Sequence, residues 1–233
     1  MFYFLLAVSE QTTNVVKWIS VGAIGVLIAV ILALAIFRKK RFDTKRVAFG
    51  GVCVSLSFAL SILKFSPVQY GGSSTIGSLV PILLYAYVYG FADGLLVGLI
   101  HGLLNFIEDP YILTPATFLL DYLLAFTGVA FAGLFSKMQR KPKRALPLLL
   151  GCGCAFLTRF VFHFLSGAIF FLENAVWVEF PAWANANAFV YSFIYQCIYL
   201  PADCAIAMLV LFALAKTGAL DHLQKLMKKR TGN

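Results

Sequence analysis

Apolar residues in this chain come in long unbroken runs separated by short polar stretches, without the alternation of half-buried strands. The runs are Trp18–Phe37, Val47–Leu63, Leu79–Tyr89, Gly94–Ile107, Pro110–Phe135, Leu146–Phe171 and Asn187–Ala215. A helix crosses a hydrocarbon core of about 30 Å with about 20 apolar residues, which most of these runs supply. Leu79–Tyr89 and Gly94–Ile107 are too short to cross unaided, so they extend into Ile76–Ser78 and Glu108 or sit among longer neighbours. Gly90–Asp93 reads as a tight turn between them. Ser66–Ser78 (SPVQYGGSSTIGS) reads as a hydrophilic loop on the outer side, either a flap over a site or an ordinary linker. The pattern predicts an all-α polytopic membrane protein, with one accessory N-terminal helix ahead of a six-helix bundle. Residues 1–43 form the extension, 44–216 the membrane domain and 217–233 a basic tail.

Composition supports that class: 61% of residues are hydrophobic, 12% are charged and mean hydropathy is +0.87. A soluble domain cannot hide so much apolar surface, and barrel strands would alternate. The net charge of +9 is a matter of position, since 16 of the 19 Lys and Arg fall in three segments: Arg38–Arg46, Lys137–Arg144 and the stretch after Leu214. Basic loops stay cytoplasmic, which puts the N-terminus outside and the C-terminus inside. Positive charge follows Trp18–Phe37 instead of preceding it, which fits an anchor better than a cleaved signal peptide. The excess charge addresses the bilayer, not nucleic acid. Five cysteines lie in apolar runs without metal-ligand spacing, so no metal or other cofactor is expected.

Against this apolar background the polar residues inside the runs stand out. Asp121, with Tyr122 beside it, lies in Pro110–Phe135, where an ionised group costs about 2.5–3.5 kcal/mol on insertion scales. It is either functional or an end residue that reaches water. Arg159, His163 and Gly167 follow at i, i+4, i+8 on one face of Leu146–Phe171, and Asp203 in the last run is the natural counter-charge for Arg159. His101 and Asn105 share a face, and Tyr191, Tyr195, Gln196 and Tyr199 occupy the outer half of the last run. Gly51, Ser55 and Ala59 make a small-residue stripe for close helix approach, either within the bundle or with a partner subunit. Topology brings Asp121, Tyr122, His163, Tyr191 and Gln196 to the outer half. A carboxylate among tyrosines suits a partly aromatic organic cation. No nucleotide-binding loop, nucleophile triad or zinc spacing is present, so the chain reads as a binder without an energy source of its own. A proton-coupled secondary transporter and an intramembrane enzyme or scaffold are the competing classes.

Four ordered motifs, YGGSSTIGSLVPILL, PYILTPATFLLDYLLAF…AGLF, RFVFHFLSGAIFF and VYSFIYQCIYLP, resemble the thiamine-specific substrate-binding subunit (S component) of energy-coupling factor transporters. The resemblance covers about Thr44 to Lys216 and leaves Trp18–Phe37 outside. It implies a six-helix S component that captures thiamine from outside. Its partners would be a membrane coupling subunit and two cytoplasmic ATPases. It also implies roles in substrate binding for Asp121, Tyr122, Tyr111, His163, Gly167 and Tyr191. Gln196 stands where the family usually has Asn, and His101 and Phe171 stand where some members have tryptophan. Those departures leave a related vitamin or a pyrimidine precursor open as the ligand, since one methylene changes discrimination by only about 1–3 kcal/mol.

Overall fold

The computed structural model describes residues 43–65, 74–110, 115–138, 144–173 and 180–228. The accessory helix, Tyr111, the loop residues 66–73 and most of the second basic segment lie outside the described residues, as does the side chain of Phe171.

Asp43 caps the first helix, its carboxylate accepting from the Lys45 N–H, and α1 then runs over Thr44–Ile62. A two-residue antiparallel ladder follows, β1 (Lys64–Phe65) against β2 (Ser74–Thr75). Next come α2 (Val80–Tyr89), α3 (Phe91–Glu108), α4 (115–135), α5 (Leu146–Glu173), a single turn at Ala182–Asn185, α6 (Ala188–Lys216) and α7 (Ala219–Lys228). Among the described residues five helices are long and apolar enough to cross a membrane: α1, α3, α4, α5 and α6. The sixth, α2, is shorter. The expected all-helical membrane architecture holds, with a short ladder added and a helix, α7, over part of the expected basic tail.

The outer surface is apolar, as a bilayer-facing surface must be: Val52, Ile107, Leu157 and Leu209 are all exposed. The core gathers around α2, where Ile82, Leu83, Ala86 and Tyr87 are completely buried, with Val129, Leu148 and Leu211 closing around them. Close approach of α3 to α4 depends on glycine. A Cβ on Gly98 would lie 2.5 Å from the Phe126 carbonyl oxygen, and one on Gly102 would strike the Tyr122 carbonyl. The stripe Gly94, Gly98, Gly102 is therefore the one that packs within the bundle. Gly51, Ser55 and Ala59 are instead exposed on α1, and a Cβ on Gly51 would meet nothing within 4 Å.

Two expectations about loops are corrected. The turn expected over Gly90–Asp93 is a single residue: Gly90 at φ 105° reverses the chain, α3 starts at Phe91, and Asp93 lies buried in its first turn, paired with Arg46. The stretch Ser66–Ser78 does not lie wholly on the outer side. Ser74, Thr75 and Ser78 are buried, and Gly77 at φ 71° turns the chain into α2. Ser74 Oγ donates to the Tyr199 carbonyl at 2.8 Å, Thr75 Oγ1 to Asp203 at 2.9 Å, and Ser57 Oγ to the Ser78 carbonyl. These hydroxyls let non-helical backbone descend among the helices, because protein groups satisfy polar atoms that lipid cannot. The dip completes the crossing that α2 is too short to make.

Candidate functional site

Asp121 sits where α4 changes form. The helix widens over Leu119–Leu124 into a π turn, closed by the Ala125 N–H on the Leu120 carbonyl, and it tightens to a 3-10 turn over Gly128–Phe131. Single π turns inside α-helices recur at functional sites because they re-aim side chains. Here the neighbours Asp121 and Tyr122 part. Asp121 faces α5, where His163 Nδ1 lies 2.7 Å from Oδ1 and Ser166 Oγ donates to Oδ2 at 2.5 Å. Tyr122 is buried toward α3, its hydroxyl donating to the Asp109 carbonyl at 2.6 Å and its ring edge-on to Phe106 at 5.3 Å.

From His163 the polar contacts continue inward. Arg159 Nε donates to His163 Nε2 at 3.2 Å, and Arg159 Nη1 donates to Asp203 Oδ2 at 2.7 Å. The Arg159–Asp203 pair anticipated from sequence is thus present and buried, with Thr75 completing it. Gln196, on α6, donates to the His163 carbonyl at 3.2 Å and accepts from the Tyr199 hydroxyl. Gly167 brings α5 against α6: a Cβ there would strike Ser192 Oγ, which donates to the Phe164 carbonyl at 2.7 Å. Asp121, His163, Gly167 and Gln196 therefore form one neighbourhood between α4, α5 and α6.

Other expected residues stand around it. Tyr191 is buried, with its ring against Phe180 at 5.3 Å and Tyr195 at 6.3 Å. His101 is fully buried, edge-on to Phe126 at 4.9 Å, and neither ring nitrogen has a hydrogen-bond partner among the described residues. The Arg159 guanidinium lies over the other side of that neighbourhood, 5.0 Å from the Phe126 ring centroid.

At the rim, Lys64 bridges Glu108 and Asp109 at 2.8 Å each and so ties β1 to the end of α3. Burial works against the Lys64 charge, but its hydrogen bonds to Asp109 and then Glu108 outweigh that and leave its pKa above the ordinary lysine value. Sequence reasoning missed Ser166 and Thr75. A serine three residues after Arg-x-x-x-His on the face toward Asp121 was a readable signal; the descent of Thr75 was not.

Comparison with known proteins gives concordant results. The profile of a family described as thiamine transporter protein (Thia_YuaJ) matches residues 47–221. The thiamine transporter ThiT of Bacillus subtilis (strain 168) is 30% identical over 162 residues, which are 65% of this chain and 80% of that protein. A solved structure of ThiT from Listeria monocytogenes superposes with a TM-score of 0.63 at 21% identity, covering 75% of this chain and 94% of that one.

Proposed function

The chain belongs to the thiamine transporter family, and we propose that it captures thiamine at the outer side of the bundle, with Asp121 as counter-charge to the thiazolium ring. It is a multi-pass membrane protein and a transporter subunit, not an enzyme. The observation that carries the reading is the Asp121 carboxylate, held by His163 and Ser166 inside the bundle while its side chain keeps 27% exposure. An ionised carboxylate so placed is costly without a counter-charge, and a permanent cation relieves that cost. Tyr191 and Gln196 from α6 and Gly167 from α5 would line one side of the site, and Tyr122 and His101 the side toward α3. Tyr111 and Phe171 join them on the resemblance alone.

The chain carries no nucleotide-binding loop, so uptake needs partners: a membrane coupling subunit and two cytoplasmic ATPases. The exposed Gly51, Ser55, Ala59 face of α1 supports docking of the coupling subunit, with the N-terminus outside and the C-terminus cytoplasmic. The test is calorimetric titration of the purified protein with thiamine, together with uptake in proteoliposomes. Tight binding without accumulation by the pure chain is expected. Accumulation driven by a proton gradient alone would instead make the chain a secondary transporter.

A further inference from the structure

His163 stands between a fixed cation and a carboxylate, and its two ring nitrogens cannot play the same part. The Arg159 Nε–H points at His163 Nε2 at 3.2 Å. A guanidinium only donates, so Nε2 must offer its lone pair and carries no hydrogen. The ring proton is then on Nδ1, where it donates to Asp121 Oδ1 at 2.7 Å. His163 is thereby neutral, and the Asp121 contact is a hydrogen bond to an uncharged ring, not an ion pair. Arg159 makes its ion pair with Asp203, at 2.7 Å, and not with Asp121, and Asp203 is itself held by Thr75. Charges cancel at Arg159 and Asp203, His163 adds none, and Ser166 contributes a hydroxyl. Within this network one negative charge is left over, and it sits on Asp121.

We propose that Arg159 is a positioning residue for the cation site: by donating to His163 Nε2 it fixes the ring neutral with its proton on Nδ1. Asp121 then remains uncompensated until a monocation arrives. The inference rests on thiamine capture for the identity of that cation, but the state of His163 is a property of the protein itself. Without the Arg159 donor, Nε2 can take a proton, and the resulting imidazolium would pair with Asp121 and stand in for the ligand. Arg159 thus protects the site from neutralising itself.

Nitrogen NMR of histidine-labelled, ligand-free protein at pH 7 tests the assignment, with the His163 signals identified by their loss in His163→Gln. Expected are a protonated Nδ1 and a bare Nε2. A proton on Nε2, alone or together with Nδ1, would overturn the inference. The second measurement compares thiamine with its neutral deaza isostere, in which carbon replaces the thiazolium nitrogen. The parent should prefer thiamine at least thirtyfold. Arg159→Met combined with Asp203→Asn removes the donor without stranding a buried charge, and it should shrink that preference at least fivefold. A folded double variant with an undiminished preference would also overturn the inference. Should the double variant not fold, the NMR of the parent decides. A parent that shows the expected ring state but binds neither ligand would overturn thiamine capture and leave the assignment of His163 standing.

Discussion

Asp121 and Tyr122 are adjacent in sequence and lead different lives. The carboxylate belongs to the α5 network, while the hydroxyl is spent on the Asp109 carbonyl. Their substitutions should separate accordingly. Asp121→Asn keeps the shape and removes the charge, so calorimetry should show thiamine binding weakened by about 2–5 kcal/mol, as for truncating one partner of a buried charge pair. Tyr122→Phe keeps the ring and loses one hydrogen bond, which should cost about 0.5–1.5 kcal/mol, seen mainly as a lower melting temperature. An Asp121→Asn variant binding within threefold of the parent would make the Asp121 carboxylate a structural partner of His163 and Ser166 and not the counter-charge. The carboxylate was legible in the sequence because a charge inside an apolar run is conspicuous. Which partners each of the two meets was not, because a π turn leaves no period in the pattern of apolar positions and shifts the facing of the residues around it.

Two stripes of small residues at spacing four illustrate what can be read of helices. Gly51, Ser55, Ala59 on α1 and Gly94, Gly98, Gly102 on α3 look alike as strings, yet the first is exposed and the second is pressed against α4. Sequence shows that a helix can be approached closely; which neighbour does so depends on the assembled bundle. The two stripes predict opposite outcomes for the same change. Gly98→Leu drives a side chain into the α4 backbone and should abolish the folded, monodisperse protein, since overpacking even milder than this costs about 1–3 kcal/mol. Among the described residues Gly51 has open space beside it and Ser55 is exposed, so with Gly51→Leu or Ser55→Leu stability and thiamine binding should survive while uptake in cells supplying the partner subunits is lost. Equal loss of binding and uptake would show that the α1 stripe serves the pocket and not a partner. Helix ends were legible to within a few residues wherever a polar cap or basic segment follows, and they failed at Gly90, where one residue with positive φ replaces a four-residue turn.

For the molecule as a whole, the hydropathy pattern contained the all-helical, multi-pass character of the membrane domain, and its basic segments carry the proposed orientation. Cysteines placed at Asp109 and at His222 should accordingly react with impermeant reagents from opposite sides, Asp109 from outside. Labelling of both from the same side would break the proposed arrangement. What the pattern could not contain is how Ser74–Leu79 is held ahead of α2, because the partners of the Ser74 and Thr75 hydroxyls lie far along the chain. That feature bears on how the protein is made. Ser74 and Thr75 depend on Tyr199 and Asp203, which are 125 and 128 residues downstream. At about 5–20 residues per second, a ribosome reaches those partners roughly 6–25 s after it has synthesised the dip. During that interval the Ser74 and Thr75 hydroxyls lack the Tyr199 and Asp203 acceptors that hold them in the finished bundle, so the segment stays loosely held until the last long helix arrives. A chain truncated after residue 180 should therefore insert its later helices yet leave Ser74–Tyr89 accessible to protease, and pulse-labelling of the full-length chain should show that accessibility disappear only after α6 has emerged.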